Sequence, residues 1–286
     1  GAPVWGTPVV DLERGQLYVG TGESYSSPAA PTSDALIAIG LADGVQRWYY
    51  QATPGDAWNI SCEIPDRINC PEEDGPDYDF GAATLLATGL ADGDLLIGGQ
   101  KSGVVHAVNP DTGELVWKNK LGRGGIQGGV HFGMSLAGDT LYVPMSDFYG
   151  GPRWPGEAFP GMFAVDVATG QQRWFNRTDD TCGGLAYCDP GLSAAASAIA
   201  GGVVGGAMDG HMRAYHGKTG EVVWQFNALR EFVTVSGRSA HGGSFSGATG
   251  PVFDGQMMFM TSGYGIYNHM AGNVLIAFEL EENIAQ

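Results

Sequence analysis

The chain has 286 residues, 43% of them hydrophobic and 10% aromatic, enough to bury a large core as one domain or two. Its formal charge of −17, from 31 acids against 14 Lys and Arg, argues against nucleic acid or an anionic membrane as partner. No apolar run approaches the roughly 18 residues of a membrane-spanning helix, so no membrane span is expected.

Strand-like runs come in groups along the chain. The first group is Thr7-Pro-Val-Val-Asp, Gln16-Leu-Tyr-Val-Gly-Thr and Ala35-Leu-Ile-Ala-Ile-Gly, followed by a turn ending at Gly44 and then Trp48. The second is Ala82-Ala-Thr-Leu-Leu, Asp94-Leu-Leu-Ile-Gly-Gly and Val104-Val-His-Ala-Val, with Gly113 and Trp117 after it. The third runs from His131-Phe-Gly-Met-Ser through Thr140-Leu-Tyr-Val-Pro-Met and Phe163-Ala-Val-Asp-Val to Gly170 and Trp174. The fourth comprises Ala194-Ala-Ala-Ser-Ala, Gly202-Val-Val-Gly-Gly-Ala and Met212-Arg-Ala-Tyr-His, then Gly220 and Trp224. A worn fifth group, Gly247-Ala-Thr-Gly-Pro-Val, Gln256-Met-Met-Phe-Met-Thr and Val274-Leu-Ile-Ala-Phe, has neither turn nor Trp.

Such repetition settles the architecture before any single residue is read. Each unit reads as four short strands joined by Gly- and Asp-rich turns, and no stretch holds a helical period over ten residues. Radially repeated four-stranded antiparallel units are the blades of an all-β propeller. Five blades are visible in one domain spanning 1–286, at about 1–52, 80–120, 130–176, 192–228 and 242–282, with an insertion loop at 53–79. They are expected to be part of a seven- or eight-bladed ring, with further blades before Gly1. The turn Gly permits a positive φ, and the following Trp is expected to pack onto the neighbouring blade, a structural role.

Four cysteines form two local pairs, Cys62 with Cys70 and Cys182 with Cys188, each bracketing a polar loop. Two short-range disulfides are preferred over four reduced thiols, which implies an oxidising compartment, periplasmic or secreted. Without CxxC or CxxCH, neither a structural zinc site nor an attached haem is expected. The start at Gly1, without Met, implies a removed leader or a longer parent chain.

The repeat Ala-x-[Asp/Asn]-x-x-Thr-Gly-x-x-x-Trp resembles the docking motif of the quinoprotein alcohol dehydrogenases, eight-bladed propellers that bind pyrroloquinoline quinone (PQQ) and Ca²⁺ or a lanthanide on the propeller axis. The resemblance covers essentially the whole chain. The segments Thr21-Gly-Glu-Ser-Tyr-Ser, Asn69-Cys-Pro, Gly75-Pro-Asp-Tyr-Asp-Phe-Gly and Ser262-Gly-Tyr-Gly are most similar to the polyvinyl alcohol dehydrogenase branch.

The resemblance carries over to particular residues. Trp5-Gly6 and Leu17-Tyr-Val-Gly-Thr-Gly-Glu23 resemble a segment whose Trp is the floor under PQQ and whose final residue is a metal ligand, here Glu23 in place of Asn. An aromatic floor suits a flat quinone, and a carboxylate suits a hard cation. The catalytic Asp admits two registers. One places Asn59, which cannot act as a base, at the critical position. The other places Asp77 there, with Asp79 resembling the extra Asp of lanthanide-using members, if residues 60–76 are an insertion stapled by Cys62–Cys70. The second is preferred because it restores the base; Asp34 and Asp56 are reserve candidates. Lys101 in Gln100-Lys101-Ser-Gly103 stands where the family has an Arg that holds the quinone oxygens, a cation that would stabilise developing negative charge. The family's second metal Glu and its vicinal Cys pair have no counterpart here.

The resemblance therefore implies PQQ-dependent oxidation of a small or polymeric alcohol. Asp77 takes the alcohol proton, hydride passes to the quinone, and electrons leave to an external cytochrome c or quinone. His131, Trp154, His241 and His269 are weaker candidates for the central face. The alternatives are a cofactor-free propeller serving as an envelope scaffold, and a polymer-binding propeller using Tyr149, Trp154 and Tyr264.

Overall fold

The computed structural model describes residues 1–148, 152–265 and 267–280. Short strands pair only with their neighbours in sequence, so each sheet is a local meander. β1 (Val9–Asp11), β2 (Gln16–Gly20), β3 (Ala35–Gly40) and β4 (Gln46–Gln51) form the first sheet. The second contains β5 (Leu85–Ala87), β6 (Leu95–Gly99), β7 (Val104–Val108) and β8 (Leu115–Lys120). β9 (Ser135–Ala137), β10 (Thr140–Met145), β11 (Gly161–Asp166) and β12 (Gln172–Arg177) make the third, and β13 (Ser197–Ile199), β14 (Gly202–Gly206), β15 (His211–His216) and β16 (Val222–Asn227) the fourth. A separate hairpin, β17 (Glu231–Val233) with β18 (Ser239–His241), precedes a three-stranded sheet of β19 (Val252–Asp254), β20 (Met257–Ser262) and β21 (Val274–Glu279). The helical content among the described residues is one 3₁₀ turn, Ile60–Glu63.

Two differences from the sequence reading have physical reasons. The innermost strands begin two to five residues later than the apolar runs suggest: β5 opens at Leu85, not Ala82, and β9 at Ser135, not His131. Several of the skipped residues, among them Thr7, Ala83, Gly133 and Ala195, line a small cavity instead of pairing in a ladder. The β17–β18 hairpin was not anticipated, because its alternation, Glu231-Phe-Val-Thr-Val, is short and half exposed.

The core lies between successive sheets. Leu36, Ala38 and Tyr18 of the first sheet meet Leu96 and Val108 of the second; Ile97, Val105 and Ala107 meet Leu141, Val143 and Phe163 of the third. Analogous layers join the third sheet to the fourth and the fourth to the fifth. The repeat's Trp is the fastener. Trp48, Trp117, Trp174 and Trp224 each sit opposite an Ala at a bulge, so the small residue leaves room for the indole. The Trp48 Nε1–H donates to the Pro110 carbonyl of the next sheet (2.9 Å), Trp117 to Val167 (3.1 Å) and Trp174 to Gly217 (2.8 Å). Each ring lies on the next turn glycine so closely that a Cβ on Gly113, Gly170 or Gly220 would stand 2.5 Å from it. These glycines also have φ of +71° to +75°, so two constraints coincide on one residue type.

Candidate active site

At one end of the sheets, loops enclose a cavity of about 990 Å³. Trp5, Glu23, Asp77, Asp79 and Lys101 all line it, together with Trp58, His131, Phe132 and Trp154 among others. Trp5 also lines a second, smaller cavity of about 140 Å³ bounded by Gly6, Gly81, Gly133 and Ala195. The indole edge rests on Gly81, where a Cβ would fall 2.0 Å from it, and meets Phe132 and His131 edge-on at 5.8 and 6.2 Å between centroids. Its position is therefore set from the sides, and it is 39% exposed.

The acidic residues are delivered by two strand exits clasping one segment. Past β2, the Thr21 carbonyl accepts from the Phe80 N–H (3.1 Å), and the Glu23 N–H donates to Asp79 Oδ1 (2.9 Å). Gly22 must be glycine here, since a Cβ would stand 2.2 Å from that same Asp79 oxygen. Past β6, the chain turns tightly through Gln100–Gly103, and the Lys101 N–H donates to the Asp79 carbonyl (3.0 Å). Segment 77–80 is thus held from both sides, and the Lys101 side chain comes up beside it. Lys101 Nζ lies 2.9 Å from Asp77 Oδ1, 2.6 Å from Asp79 Oδ2 and 5.6 Å from the Trp5 ring centroid. One oxygen from each of Glu23, Asp77 and Asp79 lies within 4.8 Å of the others.

Three carboxyl groups and one ammonium, all buried, cannot all be charged without a further cation. Burial works against the Lys101 ammonium, but Asp79 and Asp77 outweigh it and hold its pKa above the ordinary lysine value. Burial likewise opposes the Asp79 charge, yet Lys101 and a hydrogen bond from Glu23 keep its pKa below the usual range. Glu23 is pushed the other way, by burial first and then by Asp79. Asp77 also lies well above its ordinary value, because burial exceeds the help from Lys101 and Asp79 adds repulsion.

The other sequence candidates are divided between the cavity lining and its surroundings. Asn59 lines the cavity but is occupied as a cap: its Oδ1 accepts from Ser61 N–H (2.9 Å), and its Nδ2 donates to the Tyr25 and Asn69 carbonyls (3.0 and 2.8 Å). Asp34 and Asp56 sit outside the lining. Asp56 accepts from the Asp77 and Tyr78 N–H groups (3.3 and 2.9 Å), and burial beside Asp56 raises Asp34 to about 11. His131 is buried with Nδ1 2.8 Å from Ser193 Oγ, and burial holds it well below the ordinary histidine value. His269 bridges to Gln127 (2.9 Å), a lining residue, while His241 is exposed on the β17–β18 hairpin. Tyr264 is exposed outside the lining, and Tyr149 lies outside the described residues. Cysteines 62 and 70 are bridged, closing the loop that carries Trp58, Ile60 and Glu63 to the cavity; Cys182 and Cys188 are bridged in a loop away from it.

Sequence reasoning missed Asp147 and Arg153. The buried Asp147 carboxylate, at φ +49°, accepts from the backbone N–H groups of Arg123, Gly124, Gly129 and Phe159 (2.7–3.1 Å). It anchors the glycine-rich loop 122–129, whose Gly125 N–H donates to the Lys101 carbonyl (3.2 Å). The run of glycines was a signal of close backbone approach; what they approach was not written locally.

Comparison with known proteins bears on the fold and the family. The family profile described as "Outer membrane protein assembly factor BamB" (PQQ_2) matches residues 101–266, more than half of the chain. Polyvinylalcohol dehydrogenase of Pseudomonas sp is 38% identical over 98% of this chain and 45% of its own length. Its namesake from Sphingopyxis sp. (strain 113P3) is 34% identical over the same shares. The chain thus spans about half the length of the curated relatives it matches. Among solved structures, the quinohemoprotein alcohol dehydrogenase from Comamonas testosteroni superposes with a TM-score of 0.60 at 17% identity, covering 91% of this chain and 45% of that one, which shows the propeller fold. The chain belongs to the PQQ_2 family, whose profile it matches over more than half of its length, and is homologous to polyvinylalcohol dehydrogenases along nearly all of its own length.

Proposed function

We propose that this chain carries the cofactor and proton-transfer site of a PQQ-dependent alcohol dehydrogenase. What supports the reading is one arrangement: three buried carboxyl groups and a buried lysine ammonium gathered beside a partly exposed indole in a single cavity. The residues fit such a group. Trp5 offers a flat face, Lys101 a cation near it, and Glu23, Asp77 and Asp79 a hard-oxygen set that would exceed the charge of Lys101 once ionised around a cation. PQQ, when bound, supplies the two-electron acceptor, and Ca²⁺ or a lanthanide the Lewis acid.

The chain's own residues do the rest. Asp77 accepts the proton of the alcohol hydroxyl, and the Lys101 ammonium 2.9 Å away favours the carboxylate form that a base requires. The Lys101 ammonium stabilises negative charge that develops above Trp5, and Asp79 keeps that ammonium charged. Trp58, Trp154, Ile126 and Phe132 give the cavity an apolar wall suited to the carbon chain of a secondary or polymeric alcohol. Electrons leave to an external cytochrome c or quinone, and the disulfides suit a periplasmic or secreted protein.

Reconstitution of the full-length protein with PQQ and Ca²⁺ or La³⁺ tests this. The expected result is a bound-quinone absorbance and alcohol-dependent dye reduction. In Asp77→Asn, kcat is expected to fall by about 10²–10⁴ with quinone binding retained, the usual contribution of a positioned base. A full-length protein that binds no PQQ at micromolar concentration would support the second reading, a cofactor-free scaffold, which the assembly-factor name of the matching family favours.

A further inference from the structure

Asp77 has φ of +60°, a left-handed conformation uncommon for a residue other than glycine, and Asp74 just before it has φ of +48°. A strained turn persists only where its surroundings over-determine it. From one side this turn is held by Asp56. From the other it is held by two residues of the third sheet's β10–β11 loop. Arg153 Nη1 donates to the Asp74 and Gly75 carbonyls (3.1 and 2.8 Å), and Trp154 Nε1 donates to the Pro76 carbonyl (3.1 Å). Three consecutive carbonyls leading into Asp77 are therefore gripped by two adjacent side chains some 78 residues away in sequence. Arg153 is further fixed by Asp74 Oδ1 (2.5 Å) and Glu63 Oε1 (3.2 Å), and Glu63 in turn accepts from Trp58 Nε1 (3.2 Å). Trp154 is buried, and both tryptophans line the cavity.

We propose that Arg153 and Trp154 are positioning residues for Asp77, a latch that ties the cavity wall to the backbone turn aiming its carboxylate at Lys101. The catalytic consequence rests on the reading of Asp77 as the base; the latch itself does not. The planar guanidinium satisfies two carbonyls and two carboxylates at once, which a lysine ammonium at the same position cannot reproduce.

The test uses the full-length protein with Trp154→Phe, which keeps an aromatic ring but loses the donor, and Arg153→Gln, with Arg153→Lys as the conservative variant. Hydrogen exchange of the amides at 75–79 is followed in the cofactor-free protein, and kcat and KM after loading with PQQ and metal. The expected result is exchange at 75–79 faster by tenfold or more in both variants, with kcat reduced tenfold or more and KM changed less than threefold. Arg153→Lys is expected to lie between Arg153→Gln and the parent. Unchanged exchange at 75–79 overturns the latch whatever the activity. Faster exchange in a protein whose parent oxidises no alcohol leaves the latch standing and removes the role of Asp77 as base.

Discussion

At the residue scale, Glu23 sets the ionisation of the cluster. Burial, and then Asp79, raises it from an ordinary 4.5 to about 10. A carboxyl with a raised folded-state pKa binds its proton more tightly when folded, so its contribution to stability is full below about 4.5 and is lost as pH rises toward about 10. The metal-free protein is therefore expected to lose thermal stability steadily from about pH 5 to about pH 9, and Glu23→Gln, which cannot ionise, to flatten that slope. Thermal melts across this range check it; a parent slope no steeper than that of the variant would contradict it. The place of Glu23 beside Asp77 and Asp79 was legible only through the resemblance carried by Thr-Gly-Glu. Its raised pKa was not, since that depends on burial and then on Asp79, brought alongside from the segment ahead of the second sheet. Asp147 and Arg153 were illegible for the same reason: their partners lie on distant loops, and many are backbone groups that leave no side-chain motif.

At the level of the element, the turn glycines bear two loads that can be separated. Gly113 has φ of +75° and lies under the Trp48 ring, whereas Gly138, in the β9–β10 turn, has φ of +58° and nothing within 4 Å of a would-be Cβ. Gly138→Ala should cost only the backbone strain, about 1–2 kcal/mol. Gly113→Ala adds displacement of the indole and its bond to Pro110, about 1–3 kcal/mol more by overpacking. Denaturant melts of the two variants measure the difference, and equal losses would show that Trp48 is not a fastener. The outer strands and their turns were legible because this Gly–Trp pairing repeats. The inner strands were misplaced by a few residues, because several residues ahead of them line the smaller cavity instead of pairing. The Asp77 register was legible only as one of two, since the choice depends on how the Cys62–Cys70 loop folds against the cavity.

For the whole molecule, the charge of −17 and the carboxyl cluster both predict stabilisation by cations, through different physics. Diffuse repulsion among surface acids is relieved by screening, and the Debye length shrinks from about 30 Å to about 8 Å between about 0.01 and 0.15 M salt. That response is gradual, depends on ionic strength alone and is indifferent to which acid is removed. Binding at Glu23, Asp77 and Asp79 is saturable and grows logarithmically with free ion, reaching about 2.7 kcal/mol at a hundredfold excess over Kd. In a chain of this size that is a rise in Tm of roughly 4–5 °C. Micromolar La³⁺ or millimolar Ca²⁺, added at constant ionic strength, is expected to produce this rise in the parent and little of it in Asp79→Asn, while NaCl stabilises both equally. Because the ion replaces the proton on Glu23, the rise should be larger at about pH 8 than at about pH 5.5. A metal response that follows ionic strength, and that survives loss of Asp79, would mean that the cluster holds protons and Lys101 only, and the metal would have to be removed from the proposed chemistry.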